Sequence, residues 1–219
     1  MANYSPDNDA KQLVRPSLNL WFLWIAANAI GSVLGAIVGI MLEAIVSFVL
    51  TFTIGTGSWL SEPPTNPEPV WETIIIFLLI TLLAGMPFGG LIGVMQWLVL
   101  RKYIPNSRLW ILTSAFAMVV GYAWFELPPE FFSDRSLPDL FLLWFPFGCV
   151  SGILQWLILR KQVYYSGLWI AVNIIAGGIA DLPMLDFGYG FIINWAIAGI
   201  FTGAALFLLL QMPKSDVNA

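Results

Sequence analysis

The side chains that could do chemistry in this sequence are few, and the most conspicuous are amides and hydroxyls within apolar stretches. Gln96 and Gln155 each stand three residues after a glycine and five residues before an Arg-Lys pair. An amide in hydrocarbon must find a hydrogen-bonding partner, since leaving it unsatisfied is costly. Asn28, Ser114 and Asn173 each follow a tryptophan by four residues and are predicted to lie at a similar depth. We expect these five side chains to form either a polar layer between helices or a site for a ligand headgroup.

Histidine is absent and Cys149 is the single cysteine. Disulfides, zinc sites and histidine-ligated haem are therefore excluded. The formal net charge of −4, with nine scattered Lys and Arg residues, excludes a nucleic-acid binder. The sequence shows neither a nucleophile–base pair nor a metal-ligand cluster, so no enzyme is predicted and no metal is expected. Cys149 is interpreted as a small packing residue.

Asp181 is an acid that follows its helix-start tryptophan, Trp169, unusually early. The twelve intervening steps correspond to a rise of about 18 Å, against a hydrocarbon core of about 30 Å. An acid at that depth is a functional candidate, here lining a funnel open to the outer face. The alternative is a shortened or tilted helix that leaves Asp181 at the interface.

The elements that must position these residues are apolar helices. The chain is 59% hydrophobic and 10% charged, whereas soluble domains carry about 25% charged residues. The sequence therefore predicts an all-α integral membrane protein with six transmembrane helices, over about 18–41, 73–100, 109–127, 140–159, 168–185 and 190–210. The first stretch stays apolar to Ile54, and 44–54 is interpreted as an interfacial or re-entrant extension.

The distribution of basic residues predicts the orientation. In a six-span topology, eight of the nine Lys and Arg residues fall on one side, which places both termini in the cytoplasm. The predicted organisation is a cytoplasmic tail at 1–17, a membrane domain at 18–210 and a second cytoplasmic tail at 211–219. The Arg-Lys pairs are expected to contact anionic lipid headgroups. These pairs are Arg101, Lys102, Arg160 and Lys161. The tryptophans at the cytoplasmic helix starts, together with Trp97 and Trp156, are expected to form an interfacial belt.

An internal repeat is the strongest pattern in the chain. The sixteen residues 87–102 return 59 positions later as 146–161, with ten identities. A third, more diverged copy keeps the glycines at 199 and 203 but has Leu206-Phe207 in place of Gln-Trp. With their partner helices, the copies predict three helical hairpins of parallel topology, at about 18–102, 109–161 and 168–211. A threefold bundle and a linear array both remain open.

Glycines four residues apart give helix faces that a neighbouring backbone can approach closely. We expect these faces to pack the helices together, to dock a partner subunit, or to seat a flat lipid or pigment. The glycines are Gly31, Gly35, Gly39, Gly85, Gly89, Gly93, Gly148, Gly152, Gly199 and Gly203.

The pattern Gly-x3-Gly-x2-Gln-Trp-x2-Leu-Arg occurs twice, beginning at Gly89 and at Gly148. In this pattern the chain resembles uncharacterised multi-pass membrane proteins of cyanobacteria and green filamentous bacteria. The resemblance covers roughly 18–210, and the third copy departs from it at Leu206, Phe207 and Gln211. It implies a bacterial membrane, with a photosynthetic one among the options, and carries no function with it.

The predicted function is non-enzymatic: an accessory or scaffold subunit of a larger membrane complex, or a homo-oligomer, in the plasma membrane or a thylakoid-type internal membrane. The expected partners are membrane lipids and other membrane subunits or further copies of the chain, with no nucleic acid. A carrier or substrate-binding component for a small hydrophobic or amphipathic molecule is the alternative. A weaker alternative is a carotenoid- or chlorophyll-binding accessory protein. No cofactor is predicted, although bound lipid is expected.

Overall fold

The computed structural model describes residues 16–54, 70–105, 107–125, 137–180 and 189–214. Within these residues the chain is all-helical, and the only extended pairing is an isolated bridge between Val163 and Pro213. The predicted helical class is confirmed. The helices are α1 (Leu18–Ile54), α2 (Val70–Leu100), α3 (Leu109–Phe125), α4 (Leu137–Leu159), α5 (Leu168–Ala180) and α6 (Tyr189–Leu210).

The first helix is longer than the sequence predicted. It continues without a break from Leu18 to Ile54, which excludes a re-entrant turn within 44–54, whereas an interfacial extension stays a prediction. Nothing in this stretch stops a helix, because it contains neither proline nor an internal turn signal. Three of the helices contain stretches long and apolar enough to cross a membrane: Leu18–Val46 in α1, Thr81–Leu100 in α2 and Ile192–Leu210 in α6.

The six helices form a ring in the order of the sequence. Each packs against its neighbours along the chain, and α6 closes the ring by packing against α1. Neighbouring helices in the glycine-mediated pairs run antiparallel: Gly31 faces Ile92 while Gly39 faces Ala84, and Gly85 faces Val119 while Gly93 faces Ile111. Close antiparallel contact of this kind needs small residues, because a side chain would hold the two backbones apart.

Three tryptophans meet at the centre of the ring. The rings of Trp24, Trp110 and Trp169 are each at most 1% exposed, and their centroids lie 5.6–6.1 Å from one another. Buried leucines from α1, α2, α4 and α6 surround them, together with Ile104 and Val163 from two short loops. A second aromatic cluster, Phe88, Met118 and Trp195, with Tyr122 and Phe147 against it, lies further along the ring axis.

The loops 101–108 and 160–167 lie at the same end of the ring, which we call the basic end. Each begins with an exposed Arg-Lys pair and leads into a helix near whose start a tryptophan backbone N–H, of Trp110 or Trp169, donates to the carbonyl of a buried serine, Ser107 or Ser166. The chain after α6 returns to this end, where the backbone of Lys214 donates to Gln162 and that of Tyr164 donates to Met212. The C-terminal end of α6 is thereby fixed to the second loop.

Candidate functional site: a polar layer at the centre of the ring

The polar layer is built from three junctions. A junction is defined as three consecutive helices of the ring with α2, α4 or α6 in the middle. In the first junction, α1–α2–α3, Gln96 is 7% exposed and joins both neighbours of its helix. Its Oε1 accepts the indole N–H of Trp110 at 2.8 Å, and its Nε2 donates to Asn28 Oδ1 at 3.0 Å. One amide therefore ties three helices together.

The second junction, α3–α4–α5, repeats this arrangement. Gln155 is 3% exposed; its Oε1 accepts the indole N–H of Trp169 at 3.0 Å and its Nε2 donates to Ser114 Oγ at 3.1 Å. In addition, Ser151 Oγ lies 3.4 Å from Asn173 Oδ1, to which it donates. The amides of Asn28 and Asn173 each donate back to the carbonyl of the tryptophan four residues earlier, at 2.9 Å.

The third junction, α5–α6–α1, uses a different side chain. Leu206 stands three residues after Gly203, the position that glutamine holds in α2 and α4, so the indole N–H of Trp24 is accepted instead by Thr202 Oγ1 at 3.0 Å. The Thr202 hydroxyl donates a hydrogen bond to the carbonyl of Ala198 within α6. This threonine joins α6 to α1.

The structure thus brings together all five predicted polar residues, but it corrects the interpretation of their tryptophan neighbours. We expected the helix-start tryptophans to form an interfacial belt, whereas Trp24, Trp110 and Trp169 are buried and donate into the polar layer. A signal for this was present: Gln96 precedes Trp110 by the same 14 residues that separate Gln155 from Trp169. Thr202 and Ser151 were missed, because a hydroxyl in an apolar helix usually bonds only its own backbone.

The polar layer lines a cavity of about 30 Å³. Amide, hydroxyl and indole groups line it towards the tryptophan cluster, while Phe147, Trp195 and Met118 line it on the other side. A cavity able to take benzene has a volume of about 150 Å³, so this one has room for water-sized molecules only.

The predicted glycine faces lie against helices of the same chain. An added Cβ on Gly148 would stand 2.6 Å from the carbonyl oxygen of Asn173, and one on Gly89 would collide with that of Ser114. In α6, Gly199 faces Asn28 and Gly203 faces Trp21 and Trp24. An added Cβ on Gly35 would stand 2.8 Å from the carbonyl oxygen of Phe88, and one on Gly152 would stand 3.0 Å from Ile170 Cα. Gly39 has the most space of the ten, with its nearest atom at 3.5 Å.

The four predicted headgroup residues, Arg101, Lys102, Arg160 and Lys161, are exposed at the basic end. The guanidinium of Arg101 lies 5.6 Å from the ring centroid of Trp97, and that of Arg160 lies 5.3 Å from the ring centroid of Trp156. Cys149 is half-buried in α4. Asp181, the predicted funnel residue, lies outside the described residues.

Comparison of the chain with models of protein families, with curated proteins and with solved structures finds no match. The site must therefore be interpreted from its own geometry.

Proposed function

We propose that this chain is an integral membrane protein with six spans that acts by association, as an accessory or scaffold subunit of a larger membrane complex or as a homo-oligomer. The observation that carries the proposal is that the polar layer bonds the helices to one another and leaves little space for a substrate. Its amides, hydroxyls and indoles bond one helix of the ring to the next, and the cavity they leave is too small for an organic substrate.

The outer surface supports a membrane location. All six helices carry exposed large apolar side chains, for example Phe22 at 60%, Leu112 at 64% and Leu208 at 54%. A soluble monomer rarely exposes so continuous an apolar surface. The three helices long enough to cross a membrane, α6, α1 and α2, are consecutive in the ring. Since α3, α4 and α5 complete that ring, six spans are the simplest arrangement.

The charges support an orientation with the basic end in the cytoplasm. Six exposed cations lie on its two loops and the chain after α6, and no acid lies there among the described residues: Arg101, Lys102, Arg108, Arg160, Lys161 and Lys214. Excess Lys and Arg in short loops marks the cytoplasmic side. Cysteines introduced singly at Tyr165 and at Phe52, each in a Cys149→Ser background, test this. Only the Tyr165→Cys protein should react with an impermeant maleimide from the cytoplasmic side.

The chemistry of the layer also favours association over catalysis. Amides, hydroxyls and indoles do not exchange protons readily near neutral pH, so they are poor general acids and bases. Within the described residues no group of His, Cys, Asp or Glu is placed to hold a metal. The polar atoms that are present stabilise helix contacts.

The decisive experiment is purification of the chain from its native membrane in a mild detergent. Mass spectrometry, native mass and an absorption spectrum are measured on the same fraction, beside a tagged membrane protein of similar size as control. We expect stoichiometric partner subunits, or a multiple of the 24.3 kDa chain, that the control lacks. A solitary colourless monomer would contradict the proposal, and visible absorbance with a stoichiometric pigment would favour the carotenoid or chlorophyll alternative.

A carrier for a small hydrophobic or amphipathic molecule is the second candidate, favoured by one observation. Amide groups and aromatic rings line the cavity together, as they do in sites for amphipathic molecules, although the helices would have to separate to admit anything larger than water. Extraction of the purified protein should then yield one non-lipid molecule at a stoichiometry near one. A variant with Asn173→Leu should lose that molecule while retaining its fold.

A further inference from the structure

The cavity in the polar layer has more hydrogen-bond donors on its walls than the described residues accept. Each of the four lining amides, Asn28, Gln96, Gln155 and Asn173, has two N–H groups. Within the described part of the chain each donates only one: to Trp24 O, Asn28 Oδ1, Ser114 Oγ and Trp169 O, respectively.

A fifth donor is the hydroxyl of Ser114. It accepts from Gln155 and, among the described residues, has no acceptor for its own proton. All five side chains are at most 8% exposed. A buried donor without an acceptor is destabilising, and five of them around one cavity call for an acceptor inside it.

The third junction shows where that acceptor is most needed. In the first two junctions a glutamine Nε2 donates to the residue four positions after a tryptophan, Asn28 or Ser114. The equivalent residue in the third junction is Asn173, and Leu206 at the glutamine position cannot donate to it. Asn173 Oδ1 instead has the longest bond of the layer, 3.4 Å from Ser151.

We propose that the cavity is a hydration site, in which a cluster of about two water molecules takes the place of the missing third glutamine. Two water molecules offer four acceptor lone pairs, so they can accept up to four of the five spare protons, and their own protons can be donated to Asn173 Oδ1. A halide or other small anion is disfavoured, because no charged side chain lines the cavity and an unpaired ion is expensive to bury. This site goes beyond the proposed function, since it concerns the interior of the single chain.

A structure of the full chain in lipid nanodiscs at about 2 Å resolution tests the proposal directly. We expect two density peaks inside the cavity, each within about 3.2 Å of an amide nitrogen of the layer. An empty cavity, or density for a lipid chain, would overturn it. A single peak that gives anomalous scattering in crystals grown with bromide would identify an anion and would also overturn the proposal.

Variants at the third junction provide a second test. Leu206→Gln supplies the missing amide and should remove at least one water peak while keeping Tm within about 3 °C of wild type. Leu209→Gln is the matched control, because it buries the same amide in the same apolar cluster, at a position that is 3% exposed and does not correspond to Gln96 or Gln155 in the repeat. The control should lower Tm by about 6 °C or more. Equal losses of Tm, or unchanged water peaks in Leu206→Gln, would contradict the proposal.

Discussion

Every junction buries a tryptophan indole N–H as a donor, but the acceptor is a glutamine in the first two junctions and a threonine in the third. In the first two, one glutamine bonds the helix on each side of its own. In the third, Thr202 lies one turn earlier in the helix and bonds only one neighbour. The comparison indicates that every junction satisfies the indole N–H, whereas the side chain that accepts it need not also bond the third helix. Each of the following predictions changes one side of this comparison.

The largest difference is expected between glycines of the second and third junctions. Gly148→Ala places a methyl group 2.6 Å from a backbone oxygen that cannot move without its helix, so we expect a loss of about 3 kcal/mol in the free energy of unfolding. Gly199→Ala meets its nearest atom, Asn28 Cβ, at 3.1 Å and should lose about 1 kcal/mol. Unfolding by SDS titration in mixed micelles measures both.

Gly90→Ala is the control for these substitutions. Its added methyl would have Ala115 Cβ as its nearest neighbour at 4.0 Å, so it tests the change of residue without a collision. The close-packing interpretation fails if Gly148→Ala is no more destabilising than Gly90→Ala.

The sequence predicted the helices and five members of the polar layer, but it did not identify Thr202 and Ser151 or show how the layer is connected. The length of the apolar stretches was sufficient for the helices, and the internal repeat for these five residues. Which helix each amide reaches depends on the ring closing between α6 and α1, where the contact of Trp24 with Thr202 spans 178 residues. The burial of Trp110 and Trp169 could not be predicted for a related reason. Tryptophan near an Arg-Lys loop is typical of a membrane interface, and these side chains are buried only because the complete ring surrounds them.

Gln96→Leu gives the first junction the leucine that the third junction has at the equivalent position, but no threonine to accept the indole proton. The indole of Trp110 and the amide oxygen of Asn28 are then buried with lost partners, and we expect a cost of about 1–3 kcal/mol. Adding Ile92→Thr should recover about half of it, because position 92 is the equivalent of Thr202, one residue before the second glycine.

The control is Ile92→Val in the same Gln96→Leu background. Valine has nearly the shape of threonine but no hydroxyl, so it cannot accept the indole proton and should recover nothing. Equal recovery by threonine and valine would show that packing, not the hydrogen bond, distinguishes the junctions.

Gln155→Leu should cost less than Gln96→Leu, about 1 kcal/mol. The reason is that Ser151 already occupies the position equivalent to Thr202, whereas the first junction has Ile92 there. After the substitution the Ser151 hydroxyl can accept the indole proton of Trp169. A double-mutant cycle with Ser151→Ala measures this: in the alanine background, Gln155→Leu should become as costly as Gln96→Leu. Additive effects of the two changes would contradict the shared role.

The smallest expected effect concerns the indole N–H itself. Trp110→Phe and Trp24→Phe remove the same volume from the same central cluster. The first leaves the amide oxygen of Gln96 without its donor, whereas the second leaves Thr202 still bonded to Ala198. Trp110→Phe should therefore be the more destabilising by about 0.6 kcal/mol, the average of a hydrogen bond between membrane helices.

Because both variants lose the same packing, the difference between their free energies of unfolding reports the contribution of the acceptor. Trp169→Phe provides the internal standard. Its acceptor is again a glutamine, so its loss should equal that of Trp110→Phe and exceed that of Trp24→Phe. If Trp24→Phe were the most destabilising of the three, the third junction would depend on its indole more than the other two do. Thr202 would then be a stronger acceptor than glutamine, and the bond to the third helix would not be what separates the junctions.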